Sequence, residues 1–257
     1  MKKLIAFDLD GTLAPSKSAL PDEMAAILPK VLDIFEVSVI SGGKYGQFEK
    51  QLLNGLHATP AQLQKLHLMP TCGTQYYRYS PEKGEWERMY AELLTAAEKR
   101  KISAALTKGF EDLGYAAKKT YGETVEDRES QITYSVLGQD IVEQLGEEGL
   151  KLKHEWDPDN HKKQEVRDYV APLIPEFEVR VGGITSVDVT KPGIDKAYGM
   201  QKLISELKVS KEDILFIGDR IQPGGNDYPV KEFGIDCIQI SDWQNTVQVL
   251  TGILHVL

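Results

Sequence analysis

A run of apolar, strand-forming residues, Leu4-Ile-Ala-Phe7, ends abruptly in Asp8-Leu-Asp10, followed by Gly11 and Thr12. An apolar run without alternation reads as a strand buried on both faces, as in a parallel sheet. In open α/β sheets, ligands sit beyond the carboxyl ends of the strands, which is where these two acids fall. Carboxylates this close repel each other, and burying part of them costs several kcal/mol unless a cation or hydrogen-bond donors offset it. A metal ion is therefore expected at this strand end. Asp-x-Asp-Gly is also common as a solvated turn, so the remaining chain has to decide between the two readings.

The chain continues in a β/α rhythm. Met24, Ile27, Leu28, Val31 and Leu32 repeat at helical spacing over Asp22–Asp33, with Pro21 suited to the first turn. Val37–Ile40 reads as a second buried strand, ending in Ser41-Gly42-Gly43-Lys44, and a helix is expected from Gln47 to Leu53. A hydroxyl and glycine N–H groups at a strand-to-helix turn can cradle an oxyanion or phosphate. The same glycines also serve an ordinary turn. Thr74–Tyr79 alternates as a strand and leads to a turn at Ser80–Gly84. The pattern then changes: a long helix over 86–106, strands over 124–127 and 131–136, a helix from Lys162 to Leu173, and strands over 177–181 and 185–189. The β/α rhythm resumes with a helix over 194–207, strands over 213–217 and 236–240, and a last helix over 243–254. The expected fold is α/β: a Rossmann-like three-layer α/β/α core, residues 1–84 and 189–257, with an inserted α+β cap at 85–188.

Composition narrows the partners. The 257 residues carry a formal charge of −9, so there is no basic footprint for nucleic acid or an anionic membrane. Anionic metabolites remain open, because a local cation overrides the global field. The two cysteines match no metal or redox spacing. Neither a signal peptide nor a membrane-spanning apolar run is read, and a cytoplasmic protein is expected.

Further polar groups gather at later strand ends. Gly218-Asp219 closes the 213–217 strand, and Pro223-Gly-Gly-Asn226-Asp227 follows. With Asp8 and the backbone carbonyl of Asp10, these carboxylates form an oxygen-rich set suited to Mg²⁺. Lys196 opens a helix, where the macrodipole disfavours a cation unless an anion is present. Each signal is ambiguous by itself. All four in this order, three of them closing a strand, point to one site.

Asp-x-Asp-Gly-Thr, Ser-Gly-Gly, Gly-x-Asp-Lys and Gly-Asp…Gly-Gly-Asn-Asp together resemble the motifs of the haloacid dehalogenase-like (HAD) superfamily. The resemblance covers nearly the whole chain and is nearest the branch with a large α/β cap, which holds Cof-type sugar phosphatases and eukaryotic-type α-phosphomannomutases. It implies Asp8 as nucleophile, Asp10 as general acid/base, and Ser41 and Lys196 on the transferring phosphoryl group. It also implies a Mg²⁺ site from Asp8, Asp10, Asp219 and Asp227, supported by Asn226, with Thr12, Gly42 and Gly43 around the phosphate.

Within that branch the Pro223-Gly-Gly insertion and Gly182-Gly-Ile-Thr-Ser-Val-Asp188 resemble the mutases, which implies Ser186 and Asp188 on the sugar. Lys17 stands where the mutases have an arginine, and Arg128 matches the first of their cap arginines. Two further cap arginines are replaced, by Gln139 and near Gly146. Glutamine lacks both the charge and the bidentate fork that grip a second phosphate. Losing one such contact costs about 1.5–3 kcal/mol. The leading expectation is thus a Mg²⁺-dependent phosphatase acting on a sugar phosphate or similar small phosphomonoester. The alternatives are a phosphomannomutase and a catalytically inactive binding module. A monomer or cap-mediated homodimer is expected.

Overall fold

The computed structural model describes residues 2–256. The first stretch of the chain gives β1 (Leu4–Phe7), α1 (Asp22–Ile34), β2 (Glu36–Ile40), α2 (Tyr45–Gln51), α3 (Pro60–Leu63), β3 (Leu66–Met69), the turn-like α4 (Pro70–Gly73), β4 (Gln75–Ser80) and β5 (Glu85–Ala91). The middle stretch gives α5 (Ala96–Asp112), β6 (Val125–Asp127), β7 (Gln131–Ser135), α6 (Ile141–Leu145), α7 (Glu147–Trp156), α8 (His161–Val170), β8 (Glu178–Val181) and β9 (Ser186–Thr190). The last gives α9 (Lys196–Leu207), β10 (Ile214–Gly218), α10 (Tyr228–Glu232), β11 (Asp236–Gln239) and α11 (Trp243–His255). Two compact units result. The core runs up to Ala91 and resumes at Ile194, and the cap is Glu92–Gly193.

The core sheet has the order β11-β10-β1-β2-β3-β4-β5. It is parallel from β11 to β3 and antiparallel across β4 and β5. Alternation along β1 sends Ile5 and Phe7 into one apolar cluster, shared with Met24, Leu28 and Val31 of α1, and Leu4 and Ala6 into another, shared with Met200 and Leu203 of α9. Each large side chain so buried is worth about 1.5–3 kcal/mol. Both faces are thus covered by helices, the three-layer arrangement that a parallel sheet requires. Register positions the chemistry: Phe7 lies beside Val39 of β2 and Ile217 of β10. Asp8, Ser41 and Asp219, each just past its strand, therefore emerge at the same end of the sheet.

The cap's four strands run in the order β6-β7-β9-β8, all antiparallel. One face packs Ile132, Tyr134, Val187 and Val189 against Ile102, Leu106 and Phe110 of α5 and Val166 of α8, with Phe110 stacked on Tyr134 at 4.1 Å between centroids. The alternate residues Gln131, Thr133, Ser135, Ser186 and Asp188 are polar, as expected for an antiparallel sheet with one apolar face. Trp156-Asp-Pro-Asp159 joins α7 to α8. The Asp157 carboxylate accepts the Lys162 and Lys163 N–H groups at 3.0 and 3.2 Å at the start of α8.

The long helix expected over 86–106 is a strand followed by a separate helix. Trp86 pairs with Tyr79 and stacks edge-on to it, so 85–91 extends the core sheet as β5. The helix begins only at the Thr95/Glu98 capping box. For the same reason the units meet at 91/92 rather than 84/85. On the return, 189–190 still pair within β9, so the second junction falls at 193/194 rather than 188/189. No helix among the described residues is long and apolar enough to cross a membrane.

Strand β3, unforeseen in the sequence, carries the fully buried His67. Its Nδ1 lies 2.7 Å from the Tyr76 hydroxyl and its Nε2 2.9 Å from Glu36 Oε2. Burial pushes the imidazole pKa down, and the Glu36 carboxylate offsets this only in part. The folded state therefore takes up a proton less readily than the unfolded chain, and stability is lost as pH falls below about 6.5. Thermal unfolding followed from pH 8 to 5 should show this decline. It should be shallower in His67→Gln, whose amide does not titrate; equal slopes would remove His67 as its source.

Candidate active site

The Lys196 ammonium is the hub of the site. It lies 2.5 Å from Asp8 Oδ1 and 2.5 Å from Asp227 Oδ1, and all three residues are almost completely buried. Lys196 is the first residue of α9. The preceding residue, Asp195, caps that helix by accepting the Tyr198 N–H at 2.9 Å. The unfavourable macrodipole at a helix start is thus outweighed by two carboxylates on one nitrogen. Burial works to lower the Lys196 pKa, but Asp227 and Asp8 together push it upward, and the group stays charged. Asp227 also ties down its own loop, because its Oδ2 accepts the Arg220 N–H at 3.1 Å.

Asp8, Asp219 and Asp227 each offer a carboxylate oxygen within 4.8 Å of the others. Asp219 Oδ1 is buried with no hydrogen-bond partner among the described residues. Burial pushes the Asp8 carboxyl well up against the opposing pull of Lys196, with Asp227 and Asp10 adding to the rise. Asp219 shifts the same way, through burial first and Asp227 second. Three carboxylates facing one ammonium leave an excess of negative charge and one orphaned oxygen. A hard divalent cation satisfies both, so the donor set fits the expected metal.

Asp10 is turned to other partners. Its Oδ1 accepts the Lys17 N–H at 2.7 Å and the Gln51 Nε2–H at 3.1 Å, and its Oδ2 accepts the Gln47 Nε2–H at 2.8 Å. The three-carboxylate group therefore does not include the Asp10 side chain, in keeping with a sequence reading that brings Asp10 to the metal through its backbone carbonyl. Lys17 reaches Asp10 through its backbone, held at φ +56° with the side chain exposed. Thr12 is buried, and its hydroxyl has no partner among the described residues. Asn226 is exposed on the turn before Asp227.

Ser41 Oγ is buried and accepts the Gly43 N–H at 3.2 Å, which leaves the hydroxyl hydrogen to be donated elsewhere. The Ser41-Gly42-Gly43 loop is held from behind by the turn after β3. There the Cys72 N–H donates to Ser41 O at 2.9 Å and the Thr71 N–H to Gly43 O at 3.0 Å. These bonds hold two successive non-glycine residues in the left-handed region, Thr71 at φ 48° and Cys72 at φ 54°. Each such residue costs about 1–3 kcal/mol. Gly73 follows at φ 82°, and a Cβ there would lie 2.4 Å from Gly199 Cα in α9. The phosphate-type loop and the helix of Lys196 are thus linked through a close backbone contact, which only glycine permits at both positions.

In the cap, Arg128 Nε donates to Glu126 Oε2 at 2.7 Å, and Asp188 Oδ1 accepts the Thr133 hydroxyl at 2.7 Å. Burial raises the Asp188 carboxyl, opposed chiefly by Arg128. Ser186 Oγ accepts the Gly183 N–H at 2.8 Å. Gln47, Gln51 and the Thr71–Cys72 turn are the site features that the sequence motifs do not mark. The one signal for them is the spacing of Gln47 and Gln51, which puts both on one side of a helix that starts just after the Ser-Gly-Gly loop.

A parallel core with Asp8, Ser41, Lys196 and Asp219 at one sheet end, interrupted by an α+β cap, defines a HAD-type phosphotransferase. Solved structures agree on the fold. An N-terminally truncated IMP-nucleotidase of Plasmodium falciparum matches at TM-score 0.69 and 19% identity, covering 100% of this chain and 71% of that one. A haloacid dehalogenase-like hydrolase of Bacteroides thetaiotaomicron matches at TM-score 0.64 and 16% identity, covering 98% and 100%. The family model "Eukaryotic phosphomannomutase" matches residues 24–255, and the chain belongs to that family. Among curated relatives, human phosphomannomutase 1 is 27% identical over 245 residues, 88% of this chain and 82% of the relative. The Saccharomyces cerevisiae phosphomannomutase is 23% identical over 263 residues, 98% and 94% of the two chains.

Proposed function

We propose that the chain is a hexose phosphomutase of the phosphomannomutase type, with Asp8 carrying the phosphoryl group between sugar hydroxyls. The observation that carries this reading is the family match over residues 24–255, whose chemistry needs the buried Asp8–Lys196 arrangement found here. The Asp8 carboxylate oxygen attacks phosphorus while the ester O–P bond breaks, and Asp10 supplies the proton to the departing alkoxide. In the second half the acceptor hydroxyl attacks the aspartyl phosphate, Asp10 takes that hydroxyl's proton, and the Asp8 carboxylate is regenerated. Lys196 offsets repulsion between Asp8 and the incoming anion. The Ser41 hydroxyl and the Gly42 and Gly43 backbone orient the phosphoryl oxygens, and Thr12 is carried over as a further phosphate contact.

Asp8, Asp219 and Asp227 would hold Mg²⁺, with the Asp10 carbonyl as a further ligand. Bound there, the ion supplies Lewis-acid charge neutralisation. Lys17, Arg128, Ser186 and Asp188 are carried over as sugar-phosphate contacts, and a cytoplasmic setting with a monomer or cap-mediated dimer completes the proposal. Hydrolysis, which the sequence ranks first, stays as the second reading. It is favoured by the Arg128–Glu126 pair, which offsets the Arg128 charge, and by Gln139, which stands where the mutases have an arginine.

Mannose 1-phosphate incubated with the protein and Mg²⁺ is expected to yield the 6-phosphate without matching phosphate release. Chelation should remove the activity and added Mg²⁺ restore it. Stoichiometric free phosphate with no 6-phosphate would replace the transfer reading by hydrolysis. Full activity in chelator would exclude the metal.

A further inference from the structure

Asp10 must stand still to hand a proton to one oxygen and take it from another, yet it sits in a loop beyond a strand end. What holds it is the helix that follows the Ser-Gly-Gly loop. Gln47 and Gln51 lie one turn apart in α2, so both reach toward the same side. The two hydrogens of Gln47 Nε2 go to Asp10 Oδ2 at 2.8 Å and to Gln51 Oε1 at 2.5 Å. Those of Gln51 Nε2 go to Asp10 Oδ1 at 3.1 Å and to Pro15 O at 3.4 Å. Every amide hydrogen is used, and the direction of the relay is fixed, because reversing either amide would set an oxygen against a carboxylate. The Gln47 Oε1 end lies over Gly43, where a Cβ would come within 2.2 Å of it. The same side chain thus touches the loop that carries Ser41 and the carboxylate of Asp10. Gln51 is only 2% exposed, so this is a built contact and not a surface one.

We propose that Gln47 and Gln51 are positioning residues for phosphoryl transfer. They clamp both oxygens of Asp10 and fix its carboxylate apart from the Asp8–Asp219–Asp227 cluster, with a heading set by the Ser41 loop. This inference rests on the proposed role of Asp10 but not on the identity of the sugar. A relaxed clamp leaves binding and metal affinity in place and slows only the proton-coupled steps. A misplacement of about 1 Å costs about a hundredfold in rate.

The test compares Gln47→Leu, Gln51→Leu and Gln51→Glu, each with native Asp10 and with Asp10→Ala. Mannose 1-phosphate and p-nitrophenyl phosphate serve as parallel substrates. With native Asp10, kcat should fall about ten- to a hundredfold, most in Gln51→Glu, where two carboxylates meet. KM and the half-saturating Mg²⁺ concentration should stay within about twofold of the native values. In the Asp10→Ala background the same substitutions should cost nothing more, since the group they position is gone. Unchanged kcat, or losses that multiply with that of Asp10→Ala, would overturn the proposal. Should Gln51→Leu fail to fold, the less buried Gln47→Leu decides. If mannose 1-phosphate is inert while p-nitrophenyl phosphate is cleaved, the sugar reading fails and the clamp is judged on the second substrate. A crystal structure of Gln47→Leu tests the clamp without any assay of activity: an unmoved Asp10 carboxylate would refute it, and a rotated one would support it.

Discussion

Asp8→Asn should reduce phosphoryl transfer by about 10⁴-fold or more while leaving the protein folded, and in metal-free buffer slightly more stable. The rate loss follows from chemistry. An amide is no nucleophile toward phosphorus, and removing the group that forms the covalent intermediate leaves only binding and electrostatics to act. The stability gain follows from the charge balance around Lys196. Asp8 is buried among Asp219 and Asp227 with a single ammonium between them, and burial holds its carboxyl well above the ordinary range. Asparagine fills the same space without the charge. Quenched-flow phosphate transfer and thermal unfolding in chelator check the two halves. Appreciable residual transfer would mean that Asp8 is not the attacking group. A large drop in melting temperature would mean that its charge stabilises the fold.

Lys196→Met should behave in the opposite way, losing both activity and stability. The ammonium is 1% exposed and contacts two carboxylates at 2.5 Å. Removing one partner of a buried ion pair costs about 3–5 kcal/mol, because the remaining charges keep no compensation. In the variant, the folded state holds a proton on Asp8 more tightly than the unfolded chain does, because burial raises its carboxyl and Lys196 no longer opposes it. Its stability should therefore recover as pH falls toward the carboxylate range and be poorest at neutral pH. Mg²⁺ should restore part of it by supplying the missing charge. Chemical denaturation at pH 5 and pH 7.5, with and without Mg²⁺, distinguishes this from simple loss of packing, which would respond to neither variable.

The sequence made the core of the site legible because its chemistry sits at strand ends. Asp8, Ser41 and Asp219 each follow a run whose burial is visible in composition alone, and parallel register brings such ends together without further information. Lys196 could be read from its odd position, a cation opening a helix. The β5 ribbon could not, because Trp86, Met89 and Leu93 also fit a helical period; pairing with β4, a tertiary contact, decided the outcome. The amides around Asp10 were hidden for a related reason. Gln47 and Gln51 are unremarkable helix residues until the fold brings Asp10 in front of them. The backbone between Asp8 and Asp10 turns their two side chains to different partners, which no motif spelled out.

The contact between Gly73 and Gly199 also bears on how the protein is made. The whole of Glu92–Gly193 lies between these two glycines along the chain. A ribosome therefore releases β1, the Ser41 loop and the Thr71–Cys72 turn, and then the entire cap, before the helix bearing Lys196 exists. Until then Asp8 has neither its ammonium nor Asp227 beside it, and the strained turn has no helix against which to close. The nascent core is thus chemically inert during synthesis and becomes competent only when the segment from Ile194 onward docks.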